Sequence, residues 1–132
     1  FMTTELLAAA LLDMELHNLT DTDNLNVVAF EKETMDKLGL IPEIAPRYRA
    51  TYFSHIIGGY AAGYYSYLWA EVLDTDAFEA FKEHGVFDKN TADSFRKNIL
   101  EKGGTEDPMT LYRGFRGADP SLEPLLKNRG LK

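Results

Sequence analysis

The chain has 132 residues, a length that allows one domain with one moderate hydrophobic core. Its net charge of −7 argues against nucleic-acid binding, because contacts to phosphates need clustered lysine and arginine. No stretch approaches the roughly 20 consecutive apolar residues that a membrane span requires. The sequence contains no cysteine, which excludes disulfides and thiolate ligands and is compatible with a reducing compartment, so we expect a cytoplasmic protein.

Two helices are predicted before the first proline. The first covers residues 3–19, where Thr3 or Thr4 can cap its start, and it carries apolar residues at helical spacing (Leu6, Leu7, Ala10, Leu11 and Met14). His17 lies near its end, where the negative end of the helix dipole favours it in a structural role.

The second helix is predicted from Val27 to Leu38, with Asn24 or Asn26 as its cap and Gly39 as its stop. The charged run at 31–33 is most simply a solvated face of this helix. The prolines that follow predict an irregular connection that continues to residue 54.

A third helix is expected from about Gly59 to Leu73 or beyond, with a break or cap at 74–76. A short helix around 78–82 should then stop at Gly85. Thr91 is the expected cap of a helix that reaches Leu100.

Two more helices complete the predicted set. One starts at Thr105 with Pro108 in its first turn, and a short last helix is capped by Ser121. No alternation of apolar and polar residues lasts long enough to demand a sheet. The sequence therefore predicts an irregular multi-helix, all-α fold over residues 1–132.

The segment 55–69 differs from ordinary core sequence, because it packs a histidine, three glycines and four of the seven tyrosines into fifteen residues. Tyr60, Tyr64 and Tyr67 fall at i, i+4 and i+7, so on a helix their hydroxyls would line one face. The simplest interpretation of such a stripe is a half-buried structural face. The other faces would supply core contacts through Tyr65, Leu68, Trp69 and Val72.

The order of these residues suggests more than a structural face. The pattern F-x-H-[IL]-x-G-G-Y-x-A-x-Y-Y-x-Y-L-W is filled by Phe53, His55, Ile56, Gly58, Gly59, Tyr60, Ala62, Tyr64, Tyr65, Tyr67, Leu68 and Trp69. This pattern closely resembles the C-terminal part of the zinc metallopeptidases that include thimet oligopeptidase, neurolysin, oligopeptidase A and bacterial peptidyl-dipeptidase. The resemblance extends from about Thr4 to Leu131, and the tail of the chain looks most like the bacterial peptidyl-dipeptidases. Outside the motif it includes Leu12-Asp13…His17, the run Arg47-Tyr48-Arg49 and the terminal Leu125-Leu126…Arg129-Gly130-Leu131.

The zinc-binding motif of that family is missing from this sequence. Catalytic members hold zinc with a His-Glu-x-x-His helix and a further glutamate, because histidines at i and i+4 share one helix face. The three histidines here stand in the pairs His17-Asn18, His55-Ile56 and His84-Gly85, so none of them begins the motif. The resemblance therefore implies the C-terminal piece of a larger helical catalytic domain, with zinc bound by the other half of the parent enzyme and none bound by this fragment.

The resemblance also implies roles for individual residues. Tyr67 corresponds to the tyrosine that stabilises the oxyanion of the tetrahedral intermediate, and His55 and Tyr60 would lie beside the reacting peptide. For substrate binding, Tyr64 would line the cleft, and the Gly58-Gly59 pair would belong to a flexible loop that closes over the peptide.

Arg49 is a further candidate for binding, together with Arg47, because a guanidinium can grip a substrate carboxylate. The alternative is that these arginines brace the irregular segment against acidic neighbours.

Two functions from different classes remain open at this stage. The first is the substrate-binding and transition-state-stabilising portion of a zinc-dependent peptidyl-dipeptidase or oligopeptidase that acts on short peptides and is inactive as an isolated fragment. The second is a non-catalytic helical module that binds peptides or another partner without cleaving them. An isolated fragment could also dimerise through apolar surface that the rest of the parent would cover.

Overall fold

The computed structural model describes all residues from 1 to 132. It contains six α-helices, one 3₁₀ helix, one π-helix and no strand, which confirms the predicted all-α class. The chain divides into two compact units, Phe1–Tyr67 and Leu68–Lys132. None of the helices combines the length and the hydropathy that crossing a membrane would need.

The first unit begins with α1 (Met2–His17) and α2 (Val27–Lys37). As predicted, Asn26 caps α2, because its side-chain oxygen accepts a hydrogen bond from the Ala29 amide at 3.0 Å. Gly39, in the left-handed region at φ +68°, follows the end of α2 as expected for a helix stop. The chain between α2 and residue 53 is irregular, also as predicted.

Two details predicted for α1 were wrong. Its cap position is Phe1, which makes no side-chain cap hydrogen bond, so neither Thr3 nor Thr4 starts the helix. The buried face is formed by Ala8, Ala9, Ala10, Leu12 and Asp13, whereas Leu7 and Leu11 are exposed. The small side chains on this face allow close approach of neighbouring segments.

The predicted solvated face at 31–33 was wrong for Glu31, which is buried. Its carboxylate forms an ion pair with the Arg49 guanidinium and accepts a hydrogen bond from the Ala50 amide at 2.6 Å. A buried charge is tolerated when it is paired and hydrogen-bonded in this way. The partners lie in the irregular segment, so the helix pattern alone gave no sign of them.

Two small hydrophobic clusters fill the first unit. One contains Ala9, Ala10, Phe53, Ile56 and Tyr64, and the other contains Ala8, Leu12 and Met35. Both clusters use the small-residue face of α1. The first cluster reaches directly into the tyrosine-rich segment and so couples the core to that segment.

The predicted helix starting at Gly59 was wrong, because α3 begins at Ser66. The residues before it form a 3₁₀ helix at Ser54–Ile57 and then a series of turns. The turn at Gly63 is closed by its amide, which donates to the Tyr60 carbonyl at 2.9 Å. Ala62 has φ +52°, a conformation that an α-helix cannot contain.

The second unit contains most of α3 (Ser66–His84), which continues through the predicted break at 74–76. Thr75 does not interrupt α3, because its hydroxyl donates to the Glu71 carbonyl one turn earlier at 2.6 Å. Helix α3 ends before Gly85 as predicted. Val72 is buried as expected, whereas the predicted core residues Tyr65 and Trp69 are exposed.

The remaining helices are α4 (Lys89–Phe95), the π-helix Arg96–Leu100, α5 (Pro108–Arg116) and α6 (Glu123–Asn128). The cap of α4 is Asp88 and not Thr91, whose amide and hydroxyl both donate to the Asp88 carboxylate. Asp107 caps α5, with Pro108 at its start. Leu122 occupies the cap position of α6 without a side-chain cap bond, while the nearby Ser121 hydroxyl accepts from the Glu123 amide.

Four phenylalanines form the aromatic centre of the second unit, here called the phenylalanine cluster: Phe78, Phe81, Phe95 and Phe115. They line a largely apolar cavity of about 530 Å³. Beside them the Tyr112 hydroxyl donates to the buried Asp76 carboxylate at 2.5 Å. Arg116 donates to the Asp76 carbonyl and to both oxygens of Glu83.

Candidate active site

Six rings meet in the first unit around the residues that the sequence selected. This aromatic cluster consists of Tyr48, Phe53, His55, Tyr60, Tyr64 and Tyr67. The imidazole of His55 is central to it, with its centroid 4.8 Å from that of Tyr48 and 5.4 Å from that of Tyr64. The rings of Tyr60 and Tyr67 lie 6.1 and 6.3 Å from it.

The three phenols predicted to line one helix face do meet, but by a different geometry. Only Tyr67 lies in α3, as its second residue, whereas Tyr60 and Tyr64 lie in the turns that precede it. The ring of Tyr67 stacks on that of Tyr60 at 5.0 Å and meets the ring of Tyr64 edge-on, also at 5.0 Å. A folded loop thus brings together groups that a straight helix would have spaced by one turn each.

Two phenols of this cluster, those of Tyr64 and Tyr67, have a raised pKa. Hydrogen bonding with Tyr60, followed by burial, raises the pKa of Tyr67 to about 12. Burial also raises the pKa of Tyr64, whose side chain is almost inaccessible. A neutral phenol carries a proton that it can donate to a negatively charged oxygen.

One polar atom of the cluster has no partner. The Nδ1 atom of His55 is buried and makes no hydrogen bond. A buried polar atom without a partner costs free energy, so such an atom in a folded protein calls for an explanation. Because Nδ1 of His55 is buried among aromatic rings, Nε2 is the nitrogen that remains for hydrogen bonding to a ligand.

The glycine pair that follows the 3₁₀ helix, Gly58 and Gly59, has open space around it. A side chain added at Gly58 or Gly59 would meet no atom within 4 Å, so this part of the loop is not packed against the rest of the unit. The loop turns back immediately, because the Tyr60 amide donates to the His55 carbonyl at 3.2 Å. The site therefore combines a packed aromatic side with an open backbone segment.

The other end of the loop is held by Asp13, which the sequence analysis did not select. Its carboxylate is fully buried in α1 and accepts hydrogen bonds from the amides of Ala62, at 3.0 Å, and Tyr64, at 2.9 Å. Asp13 belongs to the stretch Leu12-Asp13…His17 that carried part of the resemblance, but no role in the site was predicted for it. Tyr48 was also missed as a member of the cluster, although it lies between the two arginines that were considered.

The guanidinium of Arg49 forms an ion pair with the buried carboxylate of Glu31 on α2. This contact corresponds to the bracing role that the sequence analysis gave as the alternative to substrate binding. About half of the Arg49 side chain remains exposed, so contact with a substrate stays a prediction.

The sequence pattern of Peptidase family M3 matches residues 1–131. Dipeptidyl carboxypeptidase of Escherichia coli is 45% identical over 97% of this chain and 19% of that protein. Oligopeptidase A of E. coli is 57% identical over 61% of this chain and 12% of that protein, and oligopeptidase A of Haemophilus influenzae is 43% identical over 90% and 18%.

This chain belongs to peptidase family M3. The resemblance inferred from the tyrosine-rich pattern is thereby confirmed, including its extent along nearly the whole sequence. The M3 chain spans about a fifth of the length of the curated relatives it matches, or less. The roles predicted for His55, Tyr60, Tyr64 and Tyr67, for the glycine pair and for Arg49 stay predictions.

The side chains of this M3 chain do not fit a zinc site. No three or more histidine, aspartate and glutamate residues are grouped so that they could hold a metal ion. Structural zinc needs four protein ligands and catalytic zinc needs three. What the cluster offers is a set of hydrogen-bond donors and aromatic surfaces.

Proposed function

We propose that this chain is the substrate-binding and transition-state-stabilising portion of a zinc-dependent peptidase that hydrolyses short peptides. The observation that carries the proposal is the meeting of three phenols and one imidazole beside an unpacked glycine loop. The names of the relatives, dipeptidyl carboxypeptidase and oligopeptidase A, support peptide hydrolysis as the parent activity.

The chemistry that these groups suit is stabilisation of negative charge. Peptide hydrolysis passes through a tetrahedral intermediate in which the carbonyl oxygen becomes an oxyanion, and preorganised donors aimed at that oxygen accelerate the reaction. Tyr67 is suited to this role, because its pKa of about 12 keeps it protonated and its ring is held between two others. Tyr60 and His55 would lie beside the reacting peptide as further donors.

Substrate binding falls to the residues around this centre. Tyr64 is almost fully buried and would form the wall of the cleft rather than a reacting group. Gly58 and Gly59 would let the peptide backbone approach closely, since no side chain projects from them. The exposed half of the Arg49 side chain would be available to a carboxylate on the substrate.

The zinc ion and its ligands would come from the other half of the parent enzyme, so the isolated chain should bind no zinc and cleave no peptide. Assays of the purified 132-residue chain, with and without added zinc, test this claim, and zinc-dependent cleavage would contradict it. Binding of peptides without cleavage, even within the parent protein, would instead favour the non-catalytic module. A cytoplasmic location and dimerisation of the isolated fragment through exposed apolar surface are further parts of the proposal.

The decisive experiment replaces Tyr67 by phenylalanine in the full-length parent protein. We expect turnover of a short peptide to fall about 10²–10³-fold, the usual effect of removing one oxyanion donor. The stability of the fold should change little, because the ring and its stacking remain.

The matched control is Tyr65→Phe, which removes the hydroxyl of an adjacent, exposed tyrosine outside the cluster. This variant should keep normal turnover. Near-normal turnover of Tyr67→Phe would refute the catalytic role of the cluster.

A further inference from the structure

The loop that follows Gly58 and Gly59 must be fixed at one end if the rings of Tyr60 and Tyr64 are to stay in the aromatic cluster. Its first half is unpacked at Gly58 and Gly59, and its second half contains Ala62 in a left-handed conformation. Such a conformation costs energy for a residue with a side chain and persists only where the surroundings enforce it. The contact that could enforce it is the one made by Asp13.

The Asp13 carboxylate is placed to hold both sides of this strained residue. Its Oδ1 accepts from the Ala62 amide at 3.0 Å and its Oδ2 accepts from the Tyr64 amide at 2.9 Å, across 49 and 51 residues of sequence. Two oxygens of one rigid group thus fix two amides that flank Gly63. The Tyr64 backbone leads directly to the ring that touches both His55 and Tyr67.

His17 lies against the same carboxylate from one helical turn further along α1. Its Nδ1 is 2.9 Å from Asp13 Oδ1 and also 2.9 Å from the Asp13 carbonyl oxygen. The imidazole therefore limits the rotation of the carboxylate that accepts the loop amides. Together the two residues make α1 the support of the aromatic cluster.

We infer that Asp13 is a positioning residue for peptide hydrolysis: it fixes the loop of residues 60–64 so that the phenols converge, and His17 orients its carboxylate. This inference rests on the proposed function. Asp13 is fully buried and acts through the loop, so it does not itself touch the substrate.

The test is Asp13→Asn in the full-length parent protein. The new amide group would point a donor at one of the two loop amides, so that loop amide would lose its acceptor. We expect kcat per folded molecule to fall about 10–100-fold with a smaller change in KM, because a misplacement of about 1 Å can cost about 100-fold. Hydrogen exchange of the loop peptide containing residues 58–65 should become faster.

The matched control is Asp76→Asn, a second buried aspartate to asparagine change, in the other unit. The Asp76 carboxylate accepts a hydrogen bond from the Tyr112 hydroxyl and pairs with Arg116, both residues of the second unit, so this variant should lose stability while keeping loop exchange and kcat. A milder variant, His17→Gln, covers the case in which Asp13→Asn fails to fold. It should lower kcat by several-fold and speed up exchange in the loop.

The outcomes separate this inference from the function on which it rests. Unchanged loop exchange in Asp13→Asn, or in His17→Gln if the former does not fold, overturns the positioning role. The positioning role is also overturned if folded Asp13→Asn has a normal kcat while Tyr67→Phe has a reduced kcat. If Tyr67→Phe keeps normal turnover, the proposed function has failed. Faster hydrogen exchange of the loop in Asp13→Asn would then still show that Asp13 fixes the loop, but the loop would have no role in catalysis.

Discussion

The two units of this chain each contain an aromatic cluster, and the two clusters differ in what lies at the edges of their rings. In the first unit the rings are four tyrosines, one phenylalanine and one histidine, so five of the six carry a polar atom. In the phenylalanine cluster of the second unit none does. Ring spacings are similar, about 5 to 6 Å in both.

The two clusters also differ in how the backbone around them is held. The phenylalanine cluster is built largely on α3, the helix that follows it and α5, whose own hydrogen bonds satisfy the backbone. The aromatic cluster of the first unit stands on turns, and a buried carboxylate supplies part of the hydrogen bonding that regular structure would have given. The phenylalanine cluster therefore offers only apolar ring edges on a helical scaffold, whereas polar ring edges on an anchored loop make a candidate site.

Among the variants that test the difference between the two clusters, Phe53→Ala should have the largest effect on stability. Phe53 is fully buried and contacts the rings of Tyr48 and Tyr64, so its loss should lower the free energy of unfolding by about 3–5 kcal/mol. Urea unfolding of the full-length protein measures this. Phe53→Leu, which refills most of the space, should cost about 1.5 kcal/mol or less. Equal costs for the two variants would show that the ring is not a packing centre.

A smaller effect is expected in the second unit for Phe81→Ala. Phe81 is half-buried and contacts three other phenylalanine rings, so its removal should cost about 2 kcal/mol of stability. Turnover per folded molecule should stay normal, because the phenylalanine cluster offers no polar group to a reaction. Phe87→Ala is the control, since this ring is 98% exposed and its loss should leave stability within about 0.5 kcal/mol. A large fall in kcat for Phe81→Ala would contradict the division of roles.

The smallest expected effect is a change in the pKa of Tyr67 when Tyr60 is replaced by phenylalanine. The hydrogen bond with Tyr60 is the main cause of the raised pKa of Tyr67, so the variant should move this pKa from about 12 towards the ordinary value of 10.0. Because the pKa of Tyr67 is higher in the folded than in the unfolded state, it contributes stability that is fully present below pH 10 and is lost as the pH rises towards 12. Tyr60→Phe should therefore lose less stability than the unmodified protein between pH 10 and 12. Tyrosinate absorbance and alkaline unfolding measure the two effects. An unchanged titration of Tyr67 would exclude Tyr60 as the cause.

Local sequence signals predicted a large part of the fold correctly. The all-α class, the cap at Asn26 and the stops at Gly39 and Gly85 follow from residue types and their neighbours, and the structure confirms them. The tyrosine helix was predicted to start too early, because helical spacing of three tyrosines takes no account of a left-handed residue at position 62. The break predicted at 74–76 was wrong, because Asp76 and Thr75 are satisfied within the folded unit by Tyr112 and by the helix itself.

The order of histidine, glycines and tyrosines in the sequence was enough to indicate the family and to select four rings of the cluster, those of His55, Tyr60, Tyr64 and Tyr67, but it did not select Tyr48. Only the tertiary structure decided how they meet and what holds them. Asp13 and Glu31 looked like ordinary helix residues, yet each is buried and accepts hydrogen bonds from backbone amides 19 to 51 residues away. A buried carboxylate needs hydrogen-bond donors to satisfy it. When these donors are distant in sequence, no periodic or local pattern reveals that the carboxylate is buried.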